Sequence, residues 1–401
     1  MPTAIPAEVN PALLMWAREQ SGYPPELVAK RLGVKVERLG AWERGELKPT
    51  VRQAQELAKY YHRPFGVLFL PQPPSVPPLA AEYRRLPGVR AGVESPEFRL
   101  AVRIMLQRRE VAFELAEELG LVWGDFRTVA HISEGPTTVG RRIRDALALS
   151  IERQLAWRDE WQAWREWRLA VEDVGVLVFQ FTRVTLEQAR GVSLFHFPLP
   201  VIGINSKESA PGARIYSLFH ELVHLALAVG REETVALREP RGDAEWQEVE
   251  RFAEEAASEA IIPEAALRDV MRGIASRRVS WDIGQVRVLA SRFKVTPLAI
   301  ATRLRTAGVF TWAGYRRWRA EWNEYVAALP PRRAGMASPV DKTLGRAGRQ
   351  FVQLVIQALD ANRITAADAC HYLDLKFDHV EKLRAELRSG GAGASPFDDG
   401  E

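Results

Sequence analysis

Residues 217–230 read SLFHELVHLALAVG, which sets two histidines and an acid into an otherwise apolar run. The apolar length predicts a buried helix, and the spacing of four puts His220 and His224 on one face of it, one above the other. A polar ring buried without a partner is costly, so something must satisfy both imidazoles. A zinc ion does so: it favours imidazole nitrogen, and a catalytic site adds a third protein ligand while leaving one position for water. Glu221 adjoins the first histidine and is within reach of such a water as general base.

A third ligand is then required. The following helical pattern, EVERFAEEAASEAII up to Pro263, offers Glu248, Glu250, Glu254, Glu255 and Glu259, and apolar spacing alone does not choose among them. The remaining histidines, His62, His131, His196, His371 and His379, fall in separate segments and read as structural.

Around this core the chain reads as α+β and predominantly helical. Residues 11 to 69 form short helices broken at Gly22, Gly33 and Pro49, giving an N-terminal five-helix domain over 1–70. A proline-rich connector follows over 71–95. A domain spanning 96–330 opens with helices, among them a long one carrying Trp157, Trp161, Trp164 and Trp167 on a single packing face. Three short apolar strands, in VGVLVFQF, VSLFHF and PVIGIN, then build a small sheet before helices resume. Beyond the PPRR stretch at 330–333, a helical region over 331–388 is expected to cap the core, and 389–401 reads as a disordered tail.

Composition excludes several classes. With 47% hydrophobic and 26% charged residues the chain is globular, and no apolar run approaches the roughly 20 residues that span a bilayer. The first residues lack a basic-then-apolar signal and the single Cys370 cannot form an intrachain disulfide, so a cytoplasmic location is expected, with no membrane partner. Cys370 reads as an inert helix thiol. A net charge of +4 permits contact with nucleic acid without marking a polybasic binder.

Residues 200–263 resemble the zinc peptidase domain of the ImmA/IrrE family. The match runs through PVIGINS, ARIYSLFHELVHLAL and EVERFAEEAASEAIIP and continues in LASRFKVTPLAIATRL. The resemblance implies a zincin-like domain in which Zn2+ is held by His220, His224 and, aligning back from Ile261, Ile262 and Pro263, Glu250. Glu254 stands where many relatives carry Asn, and Val223 where many carry Gly. One turn from Glu250 on the same face, Glu254 is a second candidate for ligand or for orienting an imidazole.

The segment WAREQSGYPPELVAKRLGVKVERLGAWERGELKPTVRQAQELAKYY resembles a Cro/C1-type helix-turn-helix of the XRE class. The likeness rests on Ala29, Leu32, Gly33, Val34, Leu39, Trp42, Glu43, Gly45 and Pro49. It implies that the third helix presents Lys35, Val36, Glu37, Arg38 and Ala41 to the major groove, while Lys35, Arg38, Arg44, Lys48 and Arg52 hold the DNA backbone. Pro25 stands where such modules often carry Gln. Residues 1–74 hold ten basic and seven acidic side chains, a net of +3.

Members of the resembled family cleave transcriptional repressors. The expectation is therefore a DNA-associated zinc endopeptidase that cuts a specific protein partner, a repressor or the product of a neighbouring gene. The other reading is an XRE-type regulator or antitoxin whose peptidase-like domain senses a signal or binds a toxin. An intact HExxH favours the enzyme, because binding alone has no need of Glu221. Nothing in the residues sets an oligomeric state.

Overall fold

The computed structural model describes residues 5–74, 94–229, 243–274, 281–330 and 338–389. Most of the proline-rich connector (71–95), the boundary stretch at 331–337 and all but the first residue of the tail (389–401) lie outside the described residues. The chain divides into two compact units, the first reaching Ile104 and the second continuing from Met105.

In the first unit, α1 (Pro11–Ser21), α2 (Pro25–Leu32), α3 (Val36–Glu43) and α4 (Val51–Tyr60) are followed by a 3-10 turn at Phe65–Phe69. Local chemistry sets the boundaries. Asn10 caps α1 by accepting from Ala12 N, Gly33 ends α2 at φ 67°, and Thr50 and Gln53 form a reciprocal capping box on α4. Leu14, Val28, Leu39, Trp42, Leu57, Tyr61 and Leu68 close the core. Arg18 grips Glu43 with two hydrogen bonds at 2.7 and 3.0 Å, tying α1 to α3. The first residues of the long helix α5 (Pro96–Leu119) complete this unit, with Arg99 and Arg103 donating to the carbonyls of Glu19 and Tyr61 near the ends of α1 and α4.

The second unit takes the rest of α5, then α6 (Pro136–Ala146), α7 (Ile151–Ala156) and α8 (Glu160–Asp173). Strands β1 (Leu177–Phe181), β2 (Gly191–Leu194) and β3 (Val201–Asn205) come next, then α9 (Pro211–Val229), α10 (Asp243–Ile261), α11 (Glu264–Ile274), α12 (Ile283–Phe293), α13 (Pro297–Thr306) and α14 (Trp312–Ala327). Four further helices close the described chain: α15 (Pro339–Ala347), α16 (Arg349–Asp360), α17 (Ala366–Leu373) and α18 (Phe377–Ser389). The fold is thus mostly helical with a small sheet, and no described helix is long and apolar enough to cross a membrane.

The sheet has the order β1-β3-β2, with β1 parallel and β2 antiparallel to β3. All three strands are buried, as expected where helices cover both faces. Val178, Ile202 and Ile204 face a core shared with α8 and α9. On the opposite face Phe179 meets Phe351 of α16 edge to face, so the C-terminal helices cover the sheet. Arg168 in α8 fastens that cover by donating to the Leu344 and Gly345 carbonyls at the end of α15, while its Nε pairs with the buried Glu172.

The tryptophan stripe needs correction. Helix α7 ends at Trp157 and α8 starts afresh behind the Asp159 cap, so Trp157 lies outside the helix that carries the others. Trp157, Trp164 and Trp167 are buried, whereas Trp161 is 48% exposed beneath the Arg214 guanidinium. An aspartate two residues past Trp157 breaks the periodicity by capping a new helix.

Candidate metal centre

Helix α9 presents its histidines as the spacing predicts. The two imidazoles meet edge to face with centroids 4.5 Å apart and their Nε2 atoms 3.0 Å apart. Helix α10 packs against α9 and carries Glu250 to the same point: its Oε2 lies 3.2 Å from His220 Nε2 and its Oε1 3.4 Å from His224 Nε2. His224 is buried, and His220 and Glu250 keep some access to solvent, each with 17% of its side chain exposed.

Three donors bonded to one zinc at roughly 2.0–2.2 Å in tetrahedral directions stand about 3.3–3.5 Å from one another. The two imidazole nitrogens stand 3.0 Å apart and each has one Glu250 carboxylate oxygen at 3.2 or 3.4 Å, so one ligand atom from each residue lies within 4.8 Å of the others, and imidazole nitrogen and carboxylate oxygen are donor types zinc takes. The electrostatics agree. Burial would raise the Glu250 carboxyl, but hydrogen bonds from His220 and His224 overcome it and hold the group far below the usual carboxylate range. Burial would likewise lower His220, and the Glu250 hydrogen bond together with the charges of Glu221, Glu250 and Glu254 lifts it above an ordinary imidazole. Such a cluster is relieved by a cation at its centre.

The other carboxylates of α10 are disposed differently. Glu248 and Glu254 are exposed, and Glu259 is buried in an ion pair with Arg303. Glu254 accepts at its backbone carbonyl from the Tyr216 hydroxyl at 3.0 Å.

Glu221 is 6% exposed and points to the edge strand β2, where the Ser193 hydroxyl donates to its Oε2 at 2.5 Å. Sequence reasoning missed Ser193. The alternation of Gly191 and Ser193 on one strand face was readable, but which helix that face meets was not. At the end of β3, Asn205 donates to the carbonyls of Val184 and Ala189 and so clips the β1–β2 connection against the sheet.

The residues expected at DNA lie on and around α3. Lys35 caps its start, and Val36, Glu37 and Arg38 are exposed, with the Arg38 guanidinium 5.9 Å from the Trp42 ring centroid. Ala41 is corrected: it is 7% exposed and is one of the buried residues of α3 together with Leu39 and Trp42. Arg44 pairs with Glu46 at 2.7 Å, Lys48 with Glu8 at 2.6 Å and Arg52 with Glu56 at 3.2 Å. These pairs are solvent-exposed, and exposed pairs exchange partners readily, so phosphates can displace the acids.

Comparison with known families bears directly on both sites. Residues 171–305 match the IrrE N-terminal-like domain of peptidase family M78, and residues 14–68 match the helix-turn-helix family HTH_3. Over these residues the chain is similar to an IrrE N-terminal-like domain and to a helix-turn-helix domain. A comparison with the curated proteins finds no match. The IrrE-type segment holds His220, Glu221, His224 and Glu250, and the helix-turn-helix segment runs from within α1 through α4.

Proposed function

We propose that this protein is a zinc-dependent endopeptidase that cuts a specific protein partner and is brought to DNA by its N-terminal domain. The observation that carries the reading is the convergence of His220, His224 and Glu250 within 3.0–3.4 Å of one another, next to a carboxylate on the same helix. When bound, zinc polarises a carbonyl oxygen and brings the pKa of water towards neutrality. His220 and His224 offer Nε2 and keep their remaining proton on Nδ1, while Glu250 closes the third side. Glu221 takes a proton from the attacking water on its carboxylate and returns it to the leaving amine. The partner is a repressor or the product of an adjacent gene.

Glu221→Gln is the test. Produced together with the product of the adjacent gene, the wild type is expected to leave two fragments of that product, and Glu221→Gln to leave it whole with one zinc per chain still present. Equal cleavage by both would end the enzyme reading and leave the regulator or antitoxin reading in its place.

For the N-terminal domain we infer contact with DNA phosphates through Lys35, Arg38, Arg44, Lys48 and Arg52. Binding to a fluorescent duplex from the gene's own upstream region is expected to weaken steeply with salt. Arg38→Ala or Lys48→Ala should each flatten the slope of log affinity against log salt by about 1. Wild-type affinity and slope in both variants would remove these contacts.

A further inference from the structure

The carboxylate of Glu221 lies along β2, and two residues of that strand are shaped around it. Ser193, fully buried, directs its hydroxyl to Glu221 Oε2 at 2.5 Å and shares that proton with the Glu221 backbone carbonyl at 3.1 Å. Gly191 sits two residues earlier on the same strand face. A Cβ at Gly191 would stand 2.7 Å from both Cγ and Oε1 of Glu221 and 3.1 Å from Cδ, closer than atoms can pack. The surroundings leave β2 little freedom to shift. It is hydrogen-bonded to β3 in register from Gly191 opposite Ile204 to Leu194 opposite Val201, and all four of its residues are buried.

We propose that Gly191 and Ser193 form a seat for the catalytic base. Ser193 occupies one carboxylate oxygen, Gly191 leaves room for the other, and the pair fixes the rotamer in which Oε1 alone accepts the proton from water. Ser193 is thus a positioning residue acting through Glu221, and the proposal rests on the peptidase reading above. A hydrogen bond from a hydroxyl to a carboxylate is charge-assisted, and it satisfies a buried group that would otherwise lack a partner on that side. Outer partners of this kind typically contribute 10- to 100-fold in activity or metal affinity.

The experiment compares zinc-loaded crystals of the full-length wild type, Ser193→Ala and Gly191→Ala. In both variants the Glu221 carboxylate is expected to leave its place by about 1 Å or more, with His220, His224 and Glu250 unmoved and zinc still one per chain. A Glu221 carboxylate that stays put in both variants overturns the seat. On the partner cleaved by the wild type, Ser193→Ala is expected to lower kcat about 10- to 100-fold with KM within twofold, and Ser193→Thr, which restores the hydroxyl, to recover part of it. Wild-type kcat in Ser193→Ala overturns the positioning role. If Glu221→Gln is inactive while Ser193→Ala is fully active, the seat fails and the peptidase reading stands. If Glu221→Gln retains full activity, the peptidase reading fails, and the crystals still decide whether the seat holds the side chain.

Discussion

Removing zinc with a chelator is expected to lower the melting temperature of the second unit by on the order of 10 °C. A ligand held at a thousand times its dissociation constant stabilises by about 4 kcal/mol, and each kcal/mol moves a domain of 150–250 residues by roughly 2–4 °C. His224→Ala should melt near the chelated wild type and bind zinc substoichiometrically, because His224 is the most deeply buried of the three donors. Differential scanning fluorimetry with and without chelator reads both effects, and a melting temperature indifferent to zinc would count against the site. The pH dependence has a definite sign. His220 is raised, so its contribution to the metal-free fold is full below the ordinary imidazole value and is lost as pH climbs through the raised one. Glu250 is depressed, so its contribution is present above the ordinary carboxylate value and is lost as pH falls through the lowered one. The metal-free protein should therefore be most stable in mildly acidic buffer. Zinc should add most at higher pH, where protons no longer compete for the imidazoles.

Arg303→Ala should destabilise the second unit by about 3–5 kcal/mol in urea unfolding, the range found when a buried pair loses one partner. Arg303 is 7% and Glu259 2% exposed by side chain, and the guanidinium also donates to the Ile262 carbonyl at 2.9 Å. Arg141, 62% exposed and 3.4 Å from Glu259, is too solvated to replace it. The double substitution Arg303→Met with Glu259→Leu is expected to regain most of the loss, since replacing a buried pair by apolar groups of similar size is often neutral. A small effect from Arg303→Ala alone would show that water reaches Glu259. The site would feel a large one, because Glu259 and Glu250 share α10.

The HExxH helix was legible because it states its own geometry: an apolar run fixes burial, and a spacing of four fixes the shared face. The three strands were legible as short apolar runs between turn formers, although VSLFHF reaches only to Leu194 as a strand. Glu250 was open to residue-level reasoning because five glutamates share one amphipathic helix, and only its packing against α9 tells them apart. Ser193 and Gly191 were silent, since a small residue on a strand declares its alternation without declaring its neighbour. Ala41 was misjudged because a likeness between modules transfers positions more surely than it transfers exposure.

The stretch matching the IrrE-type family begins at Val171, but the wall behind the glutamate-bearing helix does not. Helix α6 presses on α10 so closely that a methyl group on Gly140 would fall 2.5 Å from the Ala256 carbonyl oxygen, and β1 leans on Phe351 far downstream. A graft cut at the limits of the match would arrive without either buttress. For recombination, natural or engineered, an exchangeable block has to reach back past Pro136 and forward past Phe351, well beyond the signature by which the domain is recognised.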